Sequence, residues 1–276
     1  MSKSKSLTIA LIVVLIALGV AAWFLFGNTA SGLTYPNAEK YSIGDASVSD
    51  TVNNLFIDWT AGKVTVEYYD GKEITVSETA NRSLSEDDKL RWWLDGDTLR
   101  VRYAKPGFRI SFNLEKQLTV RLPYGTELKS ADISSTSGRL SFGLEGSVKK
   151  IEANSTSGGV SLTVSGTADD VKLHSTSGNI YTSLASVKKA EISSTSGSFT
   201  GTVKSFDDLK IDTTSGRVNA ALGTDPGFTC KVSSSSGDFS SELSLVTNGN
   251  TYTCGDGSAK CEIGTSSGDI WLGKAD

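Results

Sequence analysis

Asp238 and Asp269 each follow a Ser-Ser-Gly triplet directly, and acids at a fixed place in a recurring motif are candidates to act as a pair. Side by side, two carboxylates can hold a cation, raise one another's pKa, or divide acid and base work on a glycosidic bond. Asp132 and Glu152 share a second such position, six residues before the glycine of a like triplet. The plainer reading is an exposed ladder of mixed charge, with Arg217 next to Asp238 and each ion pair contributing little. The glycine-rich nonapeptide that binds calcium in stacked repeats is absent, so Asp238 and Asp269 stand only as weak metal candidates.

Serines are abundant, but a serine nucleophile needs a base within hydrogen-bond reach. The sole histidine, His174, lies four residues before Gly178, where equivalent positions hold Ser134, Asn154, Ser193, Asp212, Ser233 and Gly264. Small polar company of this kind predicts a solvated surface, so no catalytic residue and no cofactor is assigned. One histidine and one methionine also exclude imidazole-rich metal sites and methionine-rich grooves. The 27 lysines and arginines against 31 acids, a net charge of −4, exclude nucleic acid as a partner.

The elements that position these residues come from a repeat. Thr-Ser-Gly or Ser-Ser-Gly ends at Gly138, Gly158, Gly178, Gly197, Gly216, Gly237 and Gly268, at spacings of 20, 20, 19, 19, 21 and 31 residues. Seven before each glycine the column reads Ala131, Ile151, Val171, Ala190, Leu209, Cys230 and Cys261, and five before it is again apolar. The intervening column is charged, from Asp132 and Glu152 to Lys231 and Glu262, so apolar and charged positions alternate with period two. The alternation returns after the glycine, with Leu140, Val160, Ile180, Phe199, Val218, Phe239 and Ile270 two residues on. Each unit is therefore two half-buried strands joined at Ser-Gly, a turn expected to use glycine for its access to positive φ. Three before the glycines a Ser or Thr recurs with inward parity, which predicts a ladder of buried hydroxyls bonding one another or the turn amides.

Two short strands cannot bury their inner faces alone, so successive units must stack. The expected fold is all-β: a parallel β-solenoid with two strands per rung of about twenty residues, wound right-handed as parallel crossovers are. Gly62, flanked by Leu55, Ile57, Val64, Val66 and Tyr68, marks a first rung inside a β-rich amino-terminal cap over 51–130. That cap includes alternating segments split by Asp70-Gly71, Asp95-Gly96 and Pro106-Gly107 turns, one of them at 109–114. Repeats and a carboxyl-terminal cap fill 131–276. In this register Cys230 and Cys261 stack in consecutive rungs, as a disulfide or as two buried thiols, with Cys254 the odd thiol or a competing partner. Adjacent Trp92 and Trp93 point to opposite faces of a strand, so at most one is expected to be buried, and core packing is the reading for one of them.

Residues 7–26 are apolar but for Thr8 and Gly19, and twenty residues of helix rise about 30 Å, the thickness of a bilayer core. With Lys3 and Lys5 ahead of it, the stretch predicts a single-pass anchor in the cell membrane. A cytoplasmic tail at 1–6, a linker at 27–50 and an extracytoplasmic main domain follow from that orientation. A cleaved signal peptide is the rival, but cutting after Ala22 would leave Trp23-Phe24-Leu25-Phe26 as an apolar stub.

The tandem Ser-Thr-Ser-Gly strands, the early rung from Leu55 through Trp59 and Gly62 to Val64, the Leu118-Thr119-Val120-Arg121-Leu122-Pro123 segment and the closing Thr265-Ser266-Ser267-Gly268-Asp269-Ile270 resemble the bacterial putative-adhesin family. The resemblance covers about residues 40 to 273 and implies a β-strand-repeat protein of surface adhesion, with no catalytic residues to carry over. The expected function is a non-enzymatic, adhesin-like module of the cell envelope, binding wall polysaccharide or an envelope protein. An envelope-stress or signalling accessory is the first alternative, and a carbohydrate-active enzyme using Asp238 and Asp269 the second.

Overall fold

A computed structural model describes residues 35–107, 114–225 and 227–275 of the chain. Within them the protein is all-β, with strands from Ser42–Ile43 to Ile270–Lys274 and one short 3-10 turn at Ala38–Lys40. Among the described residues no helix is long and apolar enough to cross a membrane. The single-pass membrane placement with a cytoplasmic amino terminus is corrected on that finding; residues 7–26, on which it rested, lie outside the described residues. The segment at 109–114 also lies outside them except for Leu114.

The repeat is realised as stacked β-units in parallel register. Before the glycine, the strands Ser130–Ser137 and Ser147–Ser155 pair residue for residue, Ala131 with Ile151 and Ile133 with Ala153. After it, one inward ladder runs Leu140, Val160, Ile180, Phe199, Val218 and Ile270. Alternation does the sorting, because neighbouring side chains of a strand face opposite ways and only one parity is apolar. Inward residues from both strands of every unit merge into one continuous core. Each fully buried Val, Leu or Ile there contributes about 1.5–3 kcal/mol relative to exposure.

The turn glycines serve close packing rather than unusual backbone. Gly62 alone among them has a positive φ, +92°, whereas Gly138, Gly158, Gly178, Gly197, Gly216, Gly237 and Gly268 do not. A Cβ on any of these seven would stand 1.9–2.2 Å from the carbonyl oxygen of the glycine in the adjoining rung. The positive-φ rationale is thus corrected: glycine is needed because backbones meet there. The serine row completes the corner. Ser155, Ser175 and Ser194 each accept from the glycine N–H three residues on, at 2.8–2.9 Å, and donate to the glycine carbonyl of the previous rung at 3.0–3.4 Å. The hydroxyls therefore bridge main chains, and among the described residues of this row only Thr213 and Thr265 bond each other, at 3.1 Å.

At both ends the spatial order departs from chain order. Strands Thr98–Arg102 and Lys116–Pro123 stack on the outer side of Asn54–Ala61 and Val64–Tyr69, leaving the Gly62 rung between them and the Gly138 rung. At the other end Ala259–Thr265 slots between Phe206–Thr213 and Phe228–Ser234. Gly268 consequently lies on Gly216, and Gly237 lies beyond it. Antiparallel strands then cover three of the four outermost ones: Arg91–Asp95 lies on Thr98–Arg102 and Ile74–Ala80 on Lys116–Pro123 at the first end, and Thr251–Cys254 on Phe228–Ser234 at the second, whereas Phe239–Ser241 pairs with Ile270–Lys274 alone among the described residues. Covering these strands removes edges that would otherwise template pairing with another chain. Trp92 and Trp93 are both half-buried, Trp92 packed against the core and Trp93 edge-on to Tyr41 at 5.7 Å.

Candidate binding faces

The inserted strand sets the geometry of the candidate acids. Asp269 stands between Arg217 and Asp238, so Arg217 neighbours Asp269 and not Asp238 as expected. Asp269 Oδ2 lies 3.5 Å from Arg217 Nε, and its Oδ1 accepts from the Asp238 backbone N–H at 3.2 Å. All three side chains are exposed. Asp269 thus serves an ion pair on one flank and the main chain on the other. Among the described residues no three of His, Cys, Asp and Glu are grouped to hold a metal. Asp132 and Glu152 are also register partners, with unequal surroundings. Burial, and then the Glu152 charge, raises the Asp132 carboxyl above its ordinary pKa, whereas Lys150, 2.8 Å from Glu152, lowers that of Glu152.

His174 Nδ1 is 2.9 Å from Ser193 Oγ. The ladder through them reads Asn154, His174, Ser193, Asp212, which places the acid beyond the serine. A serine relay needs the imidazole between hydroxyl and acid, and Asp212 is instead 3.2 Å from Lys210 Nζ.

Cys230 and Cys261 are register partners with their Sγ atoms 3.0 Å apart. Both are free thiols, as is Cys254, and all three are buried. Burial, reinforced by the Cys230 thiol, pushes the Cys261 pKa well above its ordinary value.

Two features escaped the reading of the repeat. The first is Lys116, fully buried, with its ammonium 2.6 Å from Glu78 Oε2 and 2.5 Å from the carbonyls of Asp88 and Tyr103. Three protons meet three acceptors, and the charge also lies over the rings of Tyr103 and Trp59 at 4.3 and 5.1 Å. A lysine and a glutamate at inward parity on paired strands were the available signal. The second feature is the contrast between the two outer faces. Before the glycines the outward row is charged. After them, between the two end rungs, the outward position three residues on holds Ser141, Ser161, Tyr181, Thr200, Asn219 and Trp271, and five on lie Gly143, Thr163, Ser183, Thr202, Ala221 and Gly273; the Gly62 and Gly237 rungs add Thr65 and Ser240 to the first row and Glu67 and Glu242 to the second. Aligning these columns on the glycines would have exposed the contrast.

The sequence also matches a family model, Toastrack DUF4097, over residues 52–200 and again over 148–272. The chain belongs to the Toastrack DUF4097 family. The two matches to Toastrack overlap, as tandem repeats in one register do. Among solved structures the chain is similar to a putative cell adhesion protein from Clostridium sporogenes ATCC 15579, at 14% identity and a TM-score of 0.40, covering 86% of this chain and 100% of that one. It is similar to a putative adhesin from Bacteroides fragilis NCTC 9343 at 15% and 0.41, covering 85% and 97%. A putative lipid binding protein from Parabacteroides distasonis ATCC 8503 stands at 15% and 0.42, covering 86% and 97%. No curated protein matches the Toastrack chain.

Proposed function

We propose that this Toastrack repeat is a non-enzymatic, adhesin-like binding module whose ligand is an extended polymer lying across the stacked rungs. One observation carries the reading: the outward side chains form rows that run from rung to rung, and Asp269 and His174 take their partners within those rows, Asp269 from Arg217 and the Asp238 main chain and His174 from Ser193. Catalysis gathers a few groups around one reacting atom, whereas a stack spreads many weak contacts along its length. The right-handed winding of the stack belongs to the same proposal.

The test is the full-length chain incubated with a panel of wall and storage polysaccharides, with binding followed by co-sedimentation and turnover by release of reducing ends. Binding without turnover, little changed by the paired Asp238→Asn and Asp269→Asn substitutions, is the expected outcome. Turnover that disappears in that double variant would replace the module with a carbohydrate-active enzyme.

A further inference from the structure

The geometry points to a groove for a neutral polysaccharide on the outer face of the post-glycine strands, seated between Tyr181 and Trp271 and continuing toward Tyr124. This names the ligand class and the face for the module proposed above, and rests on that reading.

The groove begins as a hollow of about 410 Å³ lined by Tyr181, Thr200, Asn219 and Trp271, over a low floor at Gly201 and Ala221. A second hollow of about 290 Å³ adjoins it through Thr163, a residue common to both, and is walled by Tyr68 and Tyr124. Low side chains hollow the face; Trp271 stands at one border, and Tyr181 rises from within it with Ser161 and Thr163 on its far side. Tyr181 pairs with Thr200, Thr200 with Asn219 and Asn219 with Trp271, so the two aromatic rings are three strand spacings apart, about 14 Å.

The aromatic rings are placed as platforms. A Cβ on Gly273 would fall 2.1 Å from Cη2 of Trp271, so the indole lies along its own strand with one face on that glycine and the other turned away from the sheet. Tyr124, 64% exposed, stacks on Tyr68 with centroids 6.2 Å apart and planes 20° from parallel. Tyr68 is itself fixed, donating to the Thr126 carbonyl at 3.0 Å and accepting from the Glu145 N–H at 3.3 Å. A flat ring with a polar rim suits a ligand that is apolar on one face and hydroxylated at its edge, which describes a pyranose.

The floor settles the class. Ser161, Thr163, Ser183, Thr200, Thr202 and Asn219 have no side-chain hydrogen bond among the described residues, in contrast to the inward serines, whose hydroxyls are bonded at every rung from Gly158 to Gly197. Lipid chains or an apolar peptide would strip water from these groups and return nothing. No acid or base lines the first hollow, so an anionic polymer finds no counter-charge there. The second hollow holds Glu67, paired with Arg121 at 2.8 Å, and Glu145, carboxylates that accept from sugar hydroxyls and repel anions.

The experiment is calorimetric titration of the full-length chain with cellohexaose, laminarihexaose and chitohexaose as neutral probes and polygalacturonate as the anionic one. Binding of at least one neutral probe, weakened about tenfold or more by Tyr181→Ala and by Trp271→Ala, is the expected result. Because Trp271 also covers Gly273, Thr200→Lys provides an independent arm: it charges and fills the exposed floor without touching the core, and should abolish the same binding with an unchanged melting temperature. Neutral-probe binding indifferent to all three substitutions overturns the groove. So does binding of polygalacturonate alone, or of an insoluble wall preparation through the charged face, and these outcomes leave the module reading standing. Hydrolysis of a bound probe would overturn the module reading itself.

Discussion

A Cβ on Gly178 would stand 2.1 Å from the carbonyl oxygen of Gly158 in the adjoining rung. The contact recurs at every corner of the stack, so side-chain volume there must push rungs apart. Gly178→Val is expected to lower stability by about 2–3 kcal/mol or more, read as a shift of the urea midpoint. Gly143→Ala is the control: its Cβ would meet nothing within 4 Å and its φ is not positive, so its midpoint should stay near wild type. Equal effects of the two substitutions would refute the corner argument.

Lys116 and Glu78 form a pair within the first end of the stack, with side-chain exposures of 0% and 6%. Lys116→Met leaves the Glu78 carboxylate buried without its cation and should cost about 3–5 kcal/mol. Adding Glu78→Gln removes the second charge, and the double variant should be more stable than the summed single losses allow. Additive losses would show the two charges to be uncoupled.

The thiols should be slow to react. With the Cys261 pKa raised well above its ordinary value by burial, and that of Cys254 raised by the same cause, little thiolate is present at pH 8. Iodoacetamide should label Cys254 and Cys261 slowly in the folded chain and rapidly in urea, as followed by mass spectrometry. Fast labelling of the native chain would place the sulfurs nearer solvent than the stacked register does.

Asp132 gives a pH signature. Partial burial, then the Glu152 charge, raises its folded pKa, with Asp58 adding to the rise and Lys150 and Arg100 opposing it. Above the ordinary value of 3.8 the unfolded chain gives up this proton more readily than the folded one, so ionisation works against folding as pH rises. Asp132→Asn should therefore raise the melting temperature at pH 7, and the gain should vanish below about pH 3.8. A gain that persists in acid would trace to something other than this carboxylate.

Much of the fold can be read along the chain because a β-strand sorts side chains by parity alone. The apolar columns seven and five before each glycine, the alternation from Leu140 to Leu144 and the in-line Cys230 and Cys261 all follow from that local rule. The tandem corner glycines are equally plain in sequence, although the reason for them is not. Their φ values are not positive, and the demand for glycine comes from a carbonyl in the adjoining rung, which for Gly268 is that of Gly216 and for Gly138 that of Gly62, far away along the chain.

What the sequence by itself determined is the repeat, its inward and outward rows and the all-β class, since each depends on spacing within a strand. Tertiary structure alone decided which rung lies on which. Apolar columns of one chemistry stack equally well in several orders, so nothing local distinguishes Gly268 resting on Gly216 from Gly237 doing so. That choice sets Asp269 against Arg217 and brings Trp271 to the Asn219 side of the groove. It is made by pairing across the whole stack, where antiparallel strands cover Thr98–Arg102, Lys116–Pro123 and Phe228–Ser234 and the buried backbone is hydrogen-bonded.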